Sequence, residues 1–98
     1  MKILETILVK NCRTCDDLLD TYEILLDSSV SKQFIFSLQK KMNLKYFPSL
    51  LKPFFHGTYK SSFRLKGIEG NSVLTLECTS ADKEKAFQIL EKWLNEFE

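Results

Sequence analysis

Two cysteines and one histidine are the side chains of this sequence best suited to covalent or metal chemistry. Cys12-Arg13-Thr14-Cys15 is a C-x-x-C pair, in which one thiolate can attack a disulfide and the second can resolve the mixed product. A strand runs into a helix N-terminus there, a setting that lowers a thiol pKa, and the Arg13 guanidinium acts in the same direction. Asp16 and Asp17 act against it, because neighbouring carboxylates disfavour a thiolate. Neither His56 nor Cys78 stands at a familiar zinc-ligand spacing from the pair, so no metal site is expected. His56 precedes Gly57 with no Cys or carboxylate close by, and reads as a turn residue rather than a catalyst. Ser61 and Ser62 lack the context of a nucleophile elbow. With no paired acid–base carboxylates either, the residues favour a non-enzymatic role; no catalytic residue is assigned and no cofactor is expected.

Non-covalent chemistry is more strongly marked. The 98 residues carry fourteen Lys and Arg against thirteen Asp and Glu, a net charge of +1 that excludes a histone-like cationic protein. The distribution is uneven. Residues 1–27 hold three cations and six acids, and residues 69–98 hold three cations and seven acids. Between them, residues 28–68 hold eight cations and no carboxylate. The same stretch carries eight of the aromatics: Phe34, Phe36, Tyr46, Phe47, Phe54, Phe55, Tyr59 and Phe63. Cations with rings between them suit an anionic polymer, whose charges the cations neutralise and whose bases the rings can stack on. Lys40, Lys41, Lys45, Lys52, Lys60, Arg64 and Lys66 are the candidate binding residues. Core packing of the rings beneath a solvated cationic face explains the pattern as well, and the acidic flanks would also suit a self-complementary dimer.

Positioning these residues requires the following elements. Ile3 to Lys10 is rich in Ile, Leu and Val and reads as a strand. Thr14 and Asp17 form a capping pattern before Leu18, Leu19, Tyr22, Leu25 and Leu26, which recur at helical spacing, so a helix is expected over 15–28. Residues 31–47 fit a helix, with Phe34, Ile35, Leu38 and Met42 on one face and Ser31 as its cap; the alternation of Phe34, Phe36 and Leu38 also fits a buried strand. Pro48 ends that element. The run from Leu50 to Phe55, broken by Pro53, suits an edge strand or a bulge, and His56-Gly57 a turn. Thr58 to Lys66 alternates as one strand, placing Lys60, Arg64 and Lys66 on one side and Tyr59, Phe63 and Leu65 on the other. After a turn at 67–71, Ser72 to Cys78 is a strand with Leu74, Leu76 and Cys78 inward. Thr79 and Asp82 then cap a helix whose stripe is Ala86, Phe87, Leu90, Trp93, Leu94 and Phe97.

The expected architecture is α+β, in the order β-α-(α or β)-β-β-β-α, with two to three helices packed on one face of a mainly antiparallel sheet. Residues 1–98 form a single domain of ordinary globular composition, 44% hydrophobic and 28% charged. No apolar run is long enough to span a bilayer, so no membrane contact is expected. With no signal peptide visible and an odd number of cysteines, a cytoplasmic location is expected.

The C-x-x-C at the junction of strand and helix, with Tyr46-Phe47-Pro48-Ser49-Leu50-Leu51 downstream, resembles thioredoxin- and glutaredoxin-like proteins. That resemblance implies thiol–disulfide exchange, with Cys12 attacking, Cys15 resolving and Pro48 as the cis-proline beside them. The tail from Leu74 to Leu94 is similar to the last strand and helix of HPr-type phosphocarriers, and as similar to the hairpin and helix of a small KEOPS subunit. A match shared by two families implies architecture only, and the phosphocarrier histidine has no counterpart near Cys15. The reading favoured by the residues is a small binding or regulatory domain that contacts an anionic partner through its basic, aromatic-rich centre. A protein partner or self-association comes first and nucleic acid second; the alternative is thiol–disulfide chemistry at Cys12 and Cys15.

Overall fold

Apolar side chains at every second position make a segment a strand with one buried face, and the middle of the chain is dominated by that pattern. The computed structural model describes residues 1–10, 19–49, 51–60 and 62–97. Its elements are β1 (Ile3–Lys10), β2 (Asp20–Leu26), α1 (Lys32–Gln39), β3 (Asn43–Phe47), β4 (Phe54–Tyr59), β5 (Phe63–Ile68), β6 (Val73–Cys78) and α2 (Lys83–Phe97). The strands form one sheet in the order β1-β2-β6-β5-β4-β3, with every neighbouring pair antiparallel.

One face of this sheet carries Tyr22, Ile24 and Leu26 of β2, Phe55 of β4, Phe63 and Leu65 of β5, and Leu74, Leu76 and Cys78 of β6, all buried. Phe34, Ile35 and Leu38 of α1 and Ala86, Leu90, Trp93 and Leu94 of α2 complete the same core. Trp93 meets the rings of Tyr59 and Phe63 at 5.1 and 5.7 Å, and Phe97 meets Phe34 at 5.2 Å. Each large apolar side chain buried in this way contributes about 1.5–3 kcal/mol relative to exposure. Both helices therefore lie on one side of the sheet, and no described helix or strand covers the other.

The α+β class and the antiparallel sheet agree with the sequence reading, but the order of elements does not. In place of a helix over 15–28, residues 20–26 are β2; residues 15–18 lie outside the described residues. Asp20–Leu26 satisfies both periods, and its alternation puts Tyr22, Ile24 and Leu26 inward. Pairing with β6 in the register Tyr22↔Leu76 and Ile24↔Leu74 decides for the strand, since a strand's preference is set by its cross-strand neighbours.

Residues 31–47 divide into two elements. Ser31 caps α1, its hydroxyl accepting from the Phe34 N–H at 3.2 Å. The helix stops at Gln39, because from Asn43 the alternation of Leu44 and Tyr46 against Asn43, Lys45 and Phe47 fits a sheet edge. His56 and Gly57 are no turn but the middle of β4, and that strand begins only after Pro53. The strand expected over 58–66 is a hairpin. Lys60 turns the chain in the left-handed region at φ 51°, and the Ser62 N–H donates to the Tyr59 carbonyl at 3.0 Å. The strand over 72–78 and the last helix stand as expected, with Asp82 N–H donating to the Thr79 hydroxyl at 3.3 Å before α2.

Candidate binding face

Residues paired directly across antiparallel strands share a face, so the register specifies what the uncovered side displays. One row reads Glu23, Thr75, Lys66, His56, Lys45, from β2 through β6, β5 and β4 to β3. The row beside it reads Thr21, Glu77, Arg64, Thr58, Asn43. A third row on the same face, flanking the first opposite the second, has Phe54 of β4 paired with Phe47 of β3 and Ile68 of β5. The β1–β2–β6 half thus displays Glu5, Glu23 and Glu77. The β5–β4–β3 half displays Arg64, Lys66, His56 and Lys45 around a shallow concavity of about 360 Å³, also lined by Asn43, Gly57 and Thr58.

Where the two halves meet, the Lys66 Nζ stands 3.1 Å from Glu77 Oε1. That oxygen is buried and has no hydrogen-bond partner among the described residues, so the contact is an ion pair without hydrogen-bond alignment. The Lys66 side chain remains 51% exposed while that of Glu77 is 17% exposed. Lys45 and Arg64 are exposed.

Beside the cations lie three rings. Phe47 stacks on Phe54 at 4.9 Å with planes 21° apart, and on His56 at 5.7 Å and 19°. Phe54 and His56 complete the triangle at 6.0 Å and 22°. Phe47 is 36% exposed, and the other two are half-buried.

β3 is the edge strand that carries Lys45 and Phe47, and it is held from its far side. Tyr46 Oη donates to the Glu69 carboxylate in the turn after β5, a bond that, with that carboxylate's charge, pushes the phenol above its ordinary range. Phe36 of α1 meets the Tyr46 ring edge-on at 6.0 Å. Gly57 admits the β3 backbone closely: a Cβ there would stand 2.7 Å from the Asn43 carbonyl oxygen and 2.9 Å from the Leu44 Cα.

Of the seven cations singled out in the sequence, the fold gathers Lys45, Arg64 and Lys66 on this face. Lys60 is at the tip of the β4–β5 hairpin, 5.3 Å above the Tyr59 ring, and does not share a strand face with Arg64 and Lys66. Lys52 is exposed in the segment before β4. Lys40 caps the C-terminal end of α1, and Lys41 pairs with Glu96 of α2 at 2.9 Å, so both belong to the helical layer. Sequence reasoning missed His56 as a surface ring and did not separate Phe47 and Phe54 from the core aromatics. The signal was the alternation of Phe54, His56 and Thr58 against Phe55 and Gly57, hidden by reading His56-Gly57 as a turn.

Cys12 and Cys15 lie outside the described residues. The strand at 20–26 departs from the helix that the thioredoxin-like resemblance implies after its cysteines. No cis peptide bond occurs among the described residues, Pro48 included, which corrects the cis-proline expectation. Among those residues no helix is long and apolar enough to cross a membrane.

Compared with models of protein families, with curated proteins and with solved structures, the chain has no match. The functional reading therefore rests on the geometry of this face.

Proposed function

We propose that the protein is a small non-catalytic binding domain that takes an anionic partner on the β5–β4–β3 half of its uncovered sheet face, in a cytoplasmic setting. The observation that carries the reading is the convergence of Lys45 of β3 with Arg64 and Lys66 of β5 on one face, on either side of β4. Strands in a sheet are spaced about 4.8 Å apart, so Lys45 and Lys66 stand about 10 Å apart across β4, with Arg64 about 7 Å along the strand from Lys66. Three cations within that area, with one carboxylate at their margin, attract a polyanion and position it without performing chemistry on it.

The test is charge reversal. Lys45→Glu, Arg64→Glu and Lys66→Glu together should abolish retention on a heparin column, whereas Lys40→Glu with Lys52→Glu should leave most of it. Retention of the triple variant equal to that of the parent protein would exclude this face.

A further inference from the structure

The geometry points to single-stranded nucleic acid as the polyanion, with unpaired bases stacking on Phe47, Phe54 and His56 while Lys45, Lys66 and Arg64 take the phosphates; this rests on the anion-binding reading above. An acidic protein would be satisfied by the cations alone. The rings are what it leaves unexplained. Three rings within about 20° of parallel, 4.9–6.0 Å apart, lie half-exposed on the uncovered side of the sheet. Flat apolar surface beside charge is poorly matched to water and well matched to a nucleobase, whose faces are apolar and whose backbone is anionic.

The spacing also fits. The ring pair Phe47–Phe54 lies one alternation along the strands from the row Lys45–His56–Lys66, a distance of about 7 Å. That is the scale on which a nucleotide separates its phosphate from its base. His56 stands in the row of cations and stacks on both phenylalanines, so one strand of nucleic acid can meet cations and rings together. A duplex cannot do this, because its bases are already stacked on each other and offer only their edges in the grooves. Stacking and charge tolerate any base, so affinity should depend on them more than on base identity.

Fluorescence anisotropy of short labelled oligouridylate, titrated with the full chain, tests this against three competitors: inorganic polyphosphate, a Glu-rich peptide and an RNA duplex. Oligouridylate should bind more tightly than all three, with an affinity that falls as salt rises. Phe47→Leu should weaken oligouridylate binding about tenfold and leave polyphosphate binding unchanged, and Phe47→Tyr should restore it. Phe47 lies on an edge strand, and the emission of Trp93 in the core reports whether each variant is folded.

If polyphosphate or the Glu-rich peptide binds as tightly as oligouridylate, and Phe47→Leu changes neither, the nucleic-acid inference falls while anion binding stands. Equal binding of duplex and single strand overturns the stacking geometry. If the chain sediments as a dimer that Lys45→Glu and Lys66→Glu dissociate, the face is an interface between copies and the inference falls. If no polyanion binds, both readings fall.

Discussion

Replacing Glu77 by glutamine should tighten polyanion binding, and the size of the effect follows from one contact. The Glu77 carboxylate stands 3.1 Å from the Lys66 ammonium and offsets about one charge of the three cations on the face. The amide keeps the side chain's shape and removes its charge, so the effective number of phosphates neutralised rises from about two to about three. For single strands the slope of log affinity against log salt is about −0.7 per phosphate, so it should steepen from about −1.4 to about −2.1. At about 0.1 M salt the extra contact is then worth about fivefold in affinity. A Coulomb estimate agrees in scale: one charge about 7 Å from a phosphate in water contributes about 0.6 kcal/mol, or about threefold.

The fold should tolerate the change, because a pair with a half-exposed lysine stabilises by at most about 1 kcal/mol. The assay is the anisotropy titration with oligouridylate at several salt concentrations, beside a thermal melt of the same variant. A folded Glu77→Gln protein whose affinity is unchanged or weaker, with an unaltered salt slope, would refute the claim that Glu77 masks Lys66 and that Lys66 faces the ligand.

Two further outcomes test the scaffold. Gly57→Ala forces a Cβ against the Asn43 oxygen and Leu44 Cα of β3, both backbone atoms that cannot rotate away. Urea denaturation should show a loss of about 1–3 kcal/mol, and oligouridylate binding should fall with it because β3 carries Lys45 and Phe47; parental stability would contradict this packing. With Cys12→Ser and Cys15→Ser, the remaining thiol is Cys78. It is buried, and burial, together with the Asp20 and Asp82 carboxylates, pushes it above the ordinary thiol range. It should react with Ellman's reagent only as fast as the protein unfolds, and fast labelling of the native protein would overturn its placement in the core.

The legible parts of the fold were those where one period had no competitor. Ser72–Cys78 alternates without a helical stripe, and the stripe from Ala86 to Phe97 has no alternation, so the pattern alone specifies β6 and α2. Asp20–Leu26 and residues 31–47 each satisfy two periods. In the first, pairing to β6 selects the strand; in the second, α1 takes the face of Phe34, Ile35 and Leu38, and the β4 edge takes Leu44 and Tyr46. His56-Gly57 looked like a turn because glycine usually breaks a strand. Here it sits in one because the β3 backbone passes too close for any side chain.

By itself the sequence determined the α+β class, the charge asymmetry and the mixing of cations with rings, because these depend only on composition and order. It could not determine which cations share a surface. That depends on strand register, and a shift of one residue moves every side chain to the opposite face. Tertiary pairing assigned Lys45, Arg64 and Lys66 to the uncovered side and Lys40 and Lys41 to the helical layer. It also divided the aromatics, sending Phe34, Phe55 and Phe63 to the core and leaving Phe47, Phe54 and His56 as a stacked group on the open face. The division follows from burial. With both helices packed on one side, the side chains alternating toward them form the core, and those on the opposite face stay wholly or partly exposed.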